Sequence, residues 1–173
     1  METRRNYTHQ KKAYAPKVSE QGKLQPQDKE LEEAVLGALM LEKDAYTTVC
    51  DILKPECFYE PTNQLIYSAI SRLGAQQRPI DMLTVTEQLR LDEVGGALRI
   101  SELTGRVASA AHIEYHARIV AQKYLARELI EFSSEILNKA FDETNDVDDL
   151  MQEAEGKLFE ISQRNLKKDV TQI

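Results

Sequence analysis

An all-α fold is predicted by three features of the 173-residue sequence. Apolar residues recur at three- and four-residue spacing through most of the chain, strand-like alternation is confined to "MLTVT", and neither Gly nor Pro interrupts the stretch from Ser109 to Gly156. Before Ser109 the helical pattern is repeatedly cut by Pro and Gly, so a compact multi-helix globular bundle is expected over residues 25–108. A long antiparallel helical hairpin follows over 109–166. Residues 1–24 are polar and basic and read as a disordered tail.

Within the bundle, "QDKELEEAVLGALMLE" carries Leu31, Val35, Ala38 and Leu39 at helical spacing, and its crowded acidic residues suit a helix N-terminus. Apolar residues on its other faces place it centrally. "AYTTVCDIL" is a short helix closed by Lys54-Pro55. "PTNQLIYSAISRL" starts at Pro61, buries Leu65, Ile66, Ala69, Ile70 and Leu73, and is expected to end at Gly74. "IDMLTVTEQLRL" is a helix begun by Asp81, and Gly95-Gly96 breaks the chain before "ALRISELTG".

The hairpin's first helix, with Ser109 as its expected N-cap, carries two apolar stripes: Leu125, Leu129, Phe132, Ile136 and Ala140, and, about a quarter turn away, Ile130, Leu137 and Phe141. "DETND" (142–146) is the turn. The returning helix has one stripe of Val147, Leu150, Met151, Ala154, Leu158 and Ile161, with Phe159 about 120° away from Val147. One partner helix cannot cover this much apolar surface. Ile130, Leu137, Phe141 and Phe159 are therefore candidates for a self-association or partner surface.

Charge is unevenly divided. Residues 1–24 hold six Lys/Arg against two acidic residues, leaving sixteen basic and twenty-seven acidic residues for the remainder. So acidic a body is a poor surface for duplex DNA, which demands clustered cations, and a nucleic-acid adaptor role would have to run through the tail. The longest apolar run, "AVLGALML", is too short to span a bilayer, and no apolar signal segment follows the basic N-terminus. Cys50 and Cys57 match neither a C-x-x-C motif nor a disulfide framework, which points to a reducing cytoplasm.

Chemical motifs are sparse. His112 and His116 share a helix face at the spacing used by helical zinc pairs, which raises the alternative of a metal-dependent hydrolase. No third ligand is evident, however, and Glu114 falls on the opposite side of the helix, so no metal site is assigned. "DETNDVDDLMQE" places Asp142, Asp146 and Glu153 at the first, fifth and twelfth positions of a calcium loop, yet the sixth position, which requires Gly, is Val147. Asp146 and Asp149 read instead as an N-cap and first-turn acid. Gly22-Lys23 and Gly156-Lys157 lack the remainder of a phosphate loop, and no G-x-S-x-G elbow occurs. No catalytic or cofactor-binding residue is assigned.

Four stretches in this order and spacing, "PQDKELEEAVLGALML", "FYEPTNQLIYSAISRL", "RPIDMLTVTEQL" and "SAAHIEYHARIV", resemble the N-terminal domain of bacterial replicative DNA helicases of the DnaB type, from about Leu24 to about Leu166. Departures from the family pattern are Asn63, Ala108, His112 and His116, where histidine, proline, asparagine and tyrosine are usual. The resemblance implies a helical collar domain that pairs through its hairpins as a trimer of dimers in a hexamer. It also implies recruitment of the primase helicase-binding domain, contact with a helicase loader and a bacterial cytoplasmic location. In the family this domain precedes a linker and an ATPase domain that binds ATP and Mg. Residues 167–173 would begin that linker, and the present chain is expected to have no helicase or ATPase activity and no cofactor of its own.

Overall fold

A computed structural model describes residues 22–89, 96–107 and 109–169, with side chains described through Arg164. The predicted tail over 1–24 and the break at Gly95 thus lie largely outside the described residues, as do Ala108 and residues 170–173. Among the described residues the chain forms seven α-helices: α1 (Lys29–Leu41), α2 (Ala45–Val49), α3 (Pro61–Ala75), α4 (Met82–Gln88), α5 (Gly96–Gly105), α6 (Ile113–Phe141) and α7 (Val147–Asp169), with a 3-10 turn at Pro55–Cys57 between α2 and α3. No extended strand forms among the described residues, so the all-α class and the bundle-plus-hairpin architecture hold.

Helix starts follow local chemistry. Asp28 caps α1 by accepting from Leu31 N at 3.1 Å. Asp81 opens α4 with a complete capping box: Oδ1 accepts from Thr84 N at 2.9 Å, and Thr84 Oγ1 accepts from Asp81 N at 3.0 Å. Pro61 occupies the first turn of α3, where its missing N–H costs nothing.

Several boundaries and burials differ from expectation. The helix in "AYTTVCDIL" stops at Val49. Gly74 does not end α3; the helix runs on to Ala75, and Gln77 takes the left-handed conformation at φ 54°. There Gln77 N donates to Gly74 O and Arg78 N to Leu73 O, both at 3.0 Å, the two bonds of a Schellman closure. Gly74 is needed for another reason: a Cβ there would run into the Tyr46 ring. Leu65, expected in the core, is 39% exposed. Ser109 is not the cap of α6, which begins at Ile113 with His112 at the N-cap, while Ser109 Oγ accepts from Ala111 N in the preceding turn.

The head packs around α1. Val35, Leu36 and Leu39 are fully buried against α3, α5 and the start of α6, with Phe58 and Tyr67 in contact at 5.0 Å between ring centroids. A Cβ on Gly37 would strike Leu103 O and the Val107 side chain, so this glycine permits the close approach of α1 and α5. Ile113, Ala117 and Val120 of α6 belong to the same core. Tyr124 and Arg127 still contact the head, and the outer turns of α6 pack on α7, with Glu128 bound to Arg164 and Lys139 to Glu153. These links lie eleven residues apart on both helices, so the antiparallel register is kept without a slip.

Candidate partner-binding surface

The outer hairpin is two helices thick, and each can bury only the stripe that faces the other. On α7 only Ile161 is fully buried among residues with described side chains, and Leu150 and Ala154 are half-buried. Along one side of the pair an open apolar groove is lined by Phe132, Ile136, Leu137 and Ala140 of α6 and by Met151, Ala154 and Leu158 of α7. Ser133 and Glu155 supply its only polar lining.

Of the four candidates named from the sequence, only Leu137 lines this groove, at 50% exposure. Ile130 lies one to two turns closer to the head and is 38% exposed. Phe141, at the tip, is 80% exposed, and Phe159 is 62% exposed on a neighbouring face of α7. Met151 and Leu158, which also line the groove at 56% and 49% exposure, belong to the α7 stripe read from the sequence and are not among the four candidates. Their outward tilt follows from which edge of that stripe meets α6, a choice that periodicity does not make.

The hairpin's charges are engaged locally. Lys139 bridges Glu135 and Glu153, and these carboxylates push its ammonium group up. Asp142 accepts from Thr144 N at 3.0 Å and Thr144 Oγ1 at 2.7 Å, which lowers its carboxyl. Asp146 accepts from Asp148 N and Asp149 N, as an N-cap does. All three carboxylates of the apparent calcium loop are therefore committed elsewhere.

At the other end of α6, the His112 and His116 rings are 6.4 Å apart between centroids, with His112 exposed and His116 half-buried. Glu114 is paired with Arg118 at 2.9 Å. Among the described residues no three His, Cys, Asp or Glu side chains cluster as a metal site, and no helix is long and apolar enough to cross a membrane.

Sequence reasoning missed a buried polar network in the head. Glu32, 2% exposed, accepts from Tyr59 N at 2.7 Å, Glu60 N at 3.4 Å and Asn63 Nδ2 at 2.9 Å. Burial pushes its carboxyl above the ordinary range, and these donors pull against that rise. Glu33 holds Arg99 Nη2 at 2.8 Å and Arg106 Nη1 at 2.7 Å, and Arg99 also reaches Asn63 Oδ1 at 3.5 Å. α1, α3 and α5 are thereby fastened together. Helical phase could have flagged the pair, because Glu32 and Glu33 share the apolar side of α1 with Leu36.

The chain matches the family model described as DnaB-like helicase N terminal domain over residues 24–122. It is 46% identical over 151 residues to the replicative DNA helicase DnaB of Rhodothermus marinus, covering 85% of this chain and 16% of that protein. It is also 39% identical over 146 residues to the replicative DNA helicase DnaC of Bacillus subtilis (strain 168), covering 82% of this chain and 32% of that protein. The chain thus spans less than a third of either relative. A crystal structure of the N-terminal domain of DnaB helicase from Mycobacterium tuberculosis superposes with a TM-score of 0.73 at 34% identity, covering 79% of this chain and 98% of that one. A structure described as a DnaB-like replicative helicase and its interactions with primase shares the fold, with a TM-score of 0.68 at 24% identity. The fold, the order of the four sequence blocks and these matches agree: the chain belongs to the DnaB-like helicase N-terminal domain family.

Proposed function

We propose that this domain is an assembly and recruitment module of a replicative helicase. In this reading the outer hairpin takes a second copy of itself, such pairs build a trimer of dimers, and the assembled surface receives the primase helicase-binding domain. The observation that carries the reading is the apolar groove between α6 and α7, lined by exposed Leu137, Met151 and Leu158, which the described residues leave open. Enclosing a side chain of this size is worth about 1.5–3 kcal/mol, so a few such residues can drive pairing of long helices. A helicase loader is a further candidate partner, and bacterial cytoplasm is the expected setting.

The test is solution mass by light scattering on the chain and on Leu137→Asp. The unsubstituted chain is expected to exceed the 19.7 kDa monomer, and the variant to be a folded monomer, because an unpaired charge resists burial. Primase-domain binding, followed by titration calorimetry, should weaken in the same variant. A monomeric unsubstituted chain, together with loss of helicity in Leu137→Asp, would make Leu137 an intramolecular packing residue and defeat the proposal.

A further inference from the structure

A polar cluster sits where the hairpin leaves the head. Arg127 Nη1 donates to Pro26 O at 2.7 Å and Nη2 to Cys57 O at 2.8 Å, so one guanidinium holds two separate segments of head backbone. The same group lies 5.4 Å from the Tyr59 ring centroid and 5.7 Å from that of Tyr124. Lys54 Nζ stands 5.0 Å over the Tyr124 ring. Tyr124 OH donates to Glu128 Oε1 at 3.0 Å, and that oxygen also accepts from Arg164 Nη1 of α7 at 3.1 Å. A continuous series of directional contacts therefore runs from head backbone through α6 to the far end of α7.

Apolar helix packing tolerates small rotations and slides, whereas a planar guanidinium held by two carbonyls and two rings has one orientation. α7 packs chiefly on α6, and Arg164 pins it within a turn of its one fully buried described side chain, Ile161. The groove begins at Phe132, little more than a turn beyond Arg127. We infer that the Arg127–Tyr124–Glu128–Arg164 series couples the head to the return helix, so that the pose of α7, and with it the shape of the groove, is set from the head. Coupling of this kind is reciprocal: an event at the groove that moves α7 is felt around Pro26 and Tyr59. The consequence for assembly rests on the proposed use of the groove; the coupling itself does not.

Tyr124→Phe is the decisive variant, because it removes one hydroxyl while keeping the ring that Arg127 and Lys54 contact. Amide hydrogen exchange is measured in the Leu137→Asp background, with the same comparison in the otherwise unsubstituted chain at low concentration as a control. Exchange across residues 155–164 is expected to quicken about tenfold, the effect of losing one hydrogen bond to a charged group. Residues 35–40 in the head should stay unchanged, and Arg164→Gln should reproduce the effect on α7. Tyr124 is a positioning residue in this account, acting on α7 through Glu128, with its signature on the helix that holds Arg164. Quickening confined to residues 121–128, or spread evenly over head and hairpin, would overturn the coupling. Selective quickening of α7 in a chain that proves monomeric would leave the coupling standing and defeat the association reading.

Discussion

Glu32 illustrates how much one buried carboxylate can organise. Its three partners all donate, and two are the backbone N–H groups of Tyr59 and Glu60, immediately before α3. Gln at this position offers one acceptor oxygen and turns an NH2 group toward donors, so Glu32→Gln should destabilise the head by roughly 1–3 kcal/mol, read as a lower midpoint in urea. The pH dependence has a definite sign. Because burial raises the folded-state pKa above the ordinary carboxylate value, ionising Glu32 costs more in the fold than in the unfolded chain. This component of stability is therefore fully present below the ordinary value and is lost as pH rises through the folded pKa. The variant should lack that component. Identical pH slopes between pH 4 and 7 in variant and parent would show that the buried carboxyl is not shifted.

At the scale of elements, α6 is one helix with two environments. Its first turns supply Ile113, Ala117 and Val120 to the head, and its outer turns carry the open groove. The histidines lie at the head end, where the N-terminal dipole disfavours a positive imidazolium. His112→Asn with His116→Tyr should therefore preserve helicity and solution mass and add a few tenths of a kcal/mol. Stoichiometric zinc in the parent, lost with folding or association in the double variant, would instead identify these side chains as ligands. The hairpin turn is held by Asp142 and Asp146, and by Asn145 Nδ2, which donates to Lys139 O at 3.0 Å. The acids of "DETND" thus close and restart helices.

For the whole molecule, an acidic body with sixteen basic and twenty-seven acidic residues beyond position 24 favours recognition through apolar and specific polar contacts over phosphate binding. The sequence holds no phosphate loop, and its two Gly-Lys pairs lie at Gly22 and in the middle of α7, neither joining a strand to a helix. The purified 173-residue chain is accordingly expected to release no phosphate from ATP above a heat-denatured control. Turnover that persists through successive purification steps and follows the protein's elution would refute this.

Helical periodicity, the long Gly- and Pro-free stretch and the Asp and Pro start signals determined the fold class, most helix starts and the hairpin, because these depend on interactions within four residues. The order of four sequence blocks was enough to identify the family. Tertiary structure decided what local pattern leaves open. Gly74 reads as a stop signal, yet Tyr46, distant in sequence, occupies the space its side chain would need. Glu32 and Glu33 belong to the acidic start of α1, and are buried because Asn63, Arg99 and Arg106 arrive from distant segments. Arg127 belongs to no sequence motif, and its role exists only because Pro26 and Cys57 present carbonyls to it from 101 and 70 residues away. The groove has the same origin: periodicity shows which residues are apolar, but the angle at which α7 meets α6 selects those left uncovered.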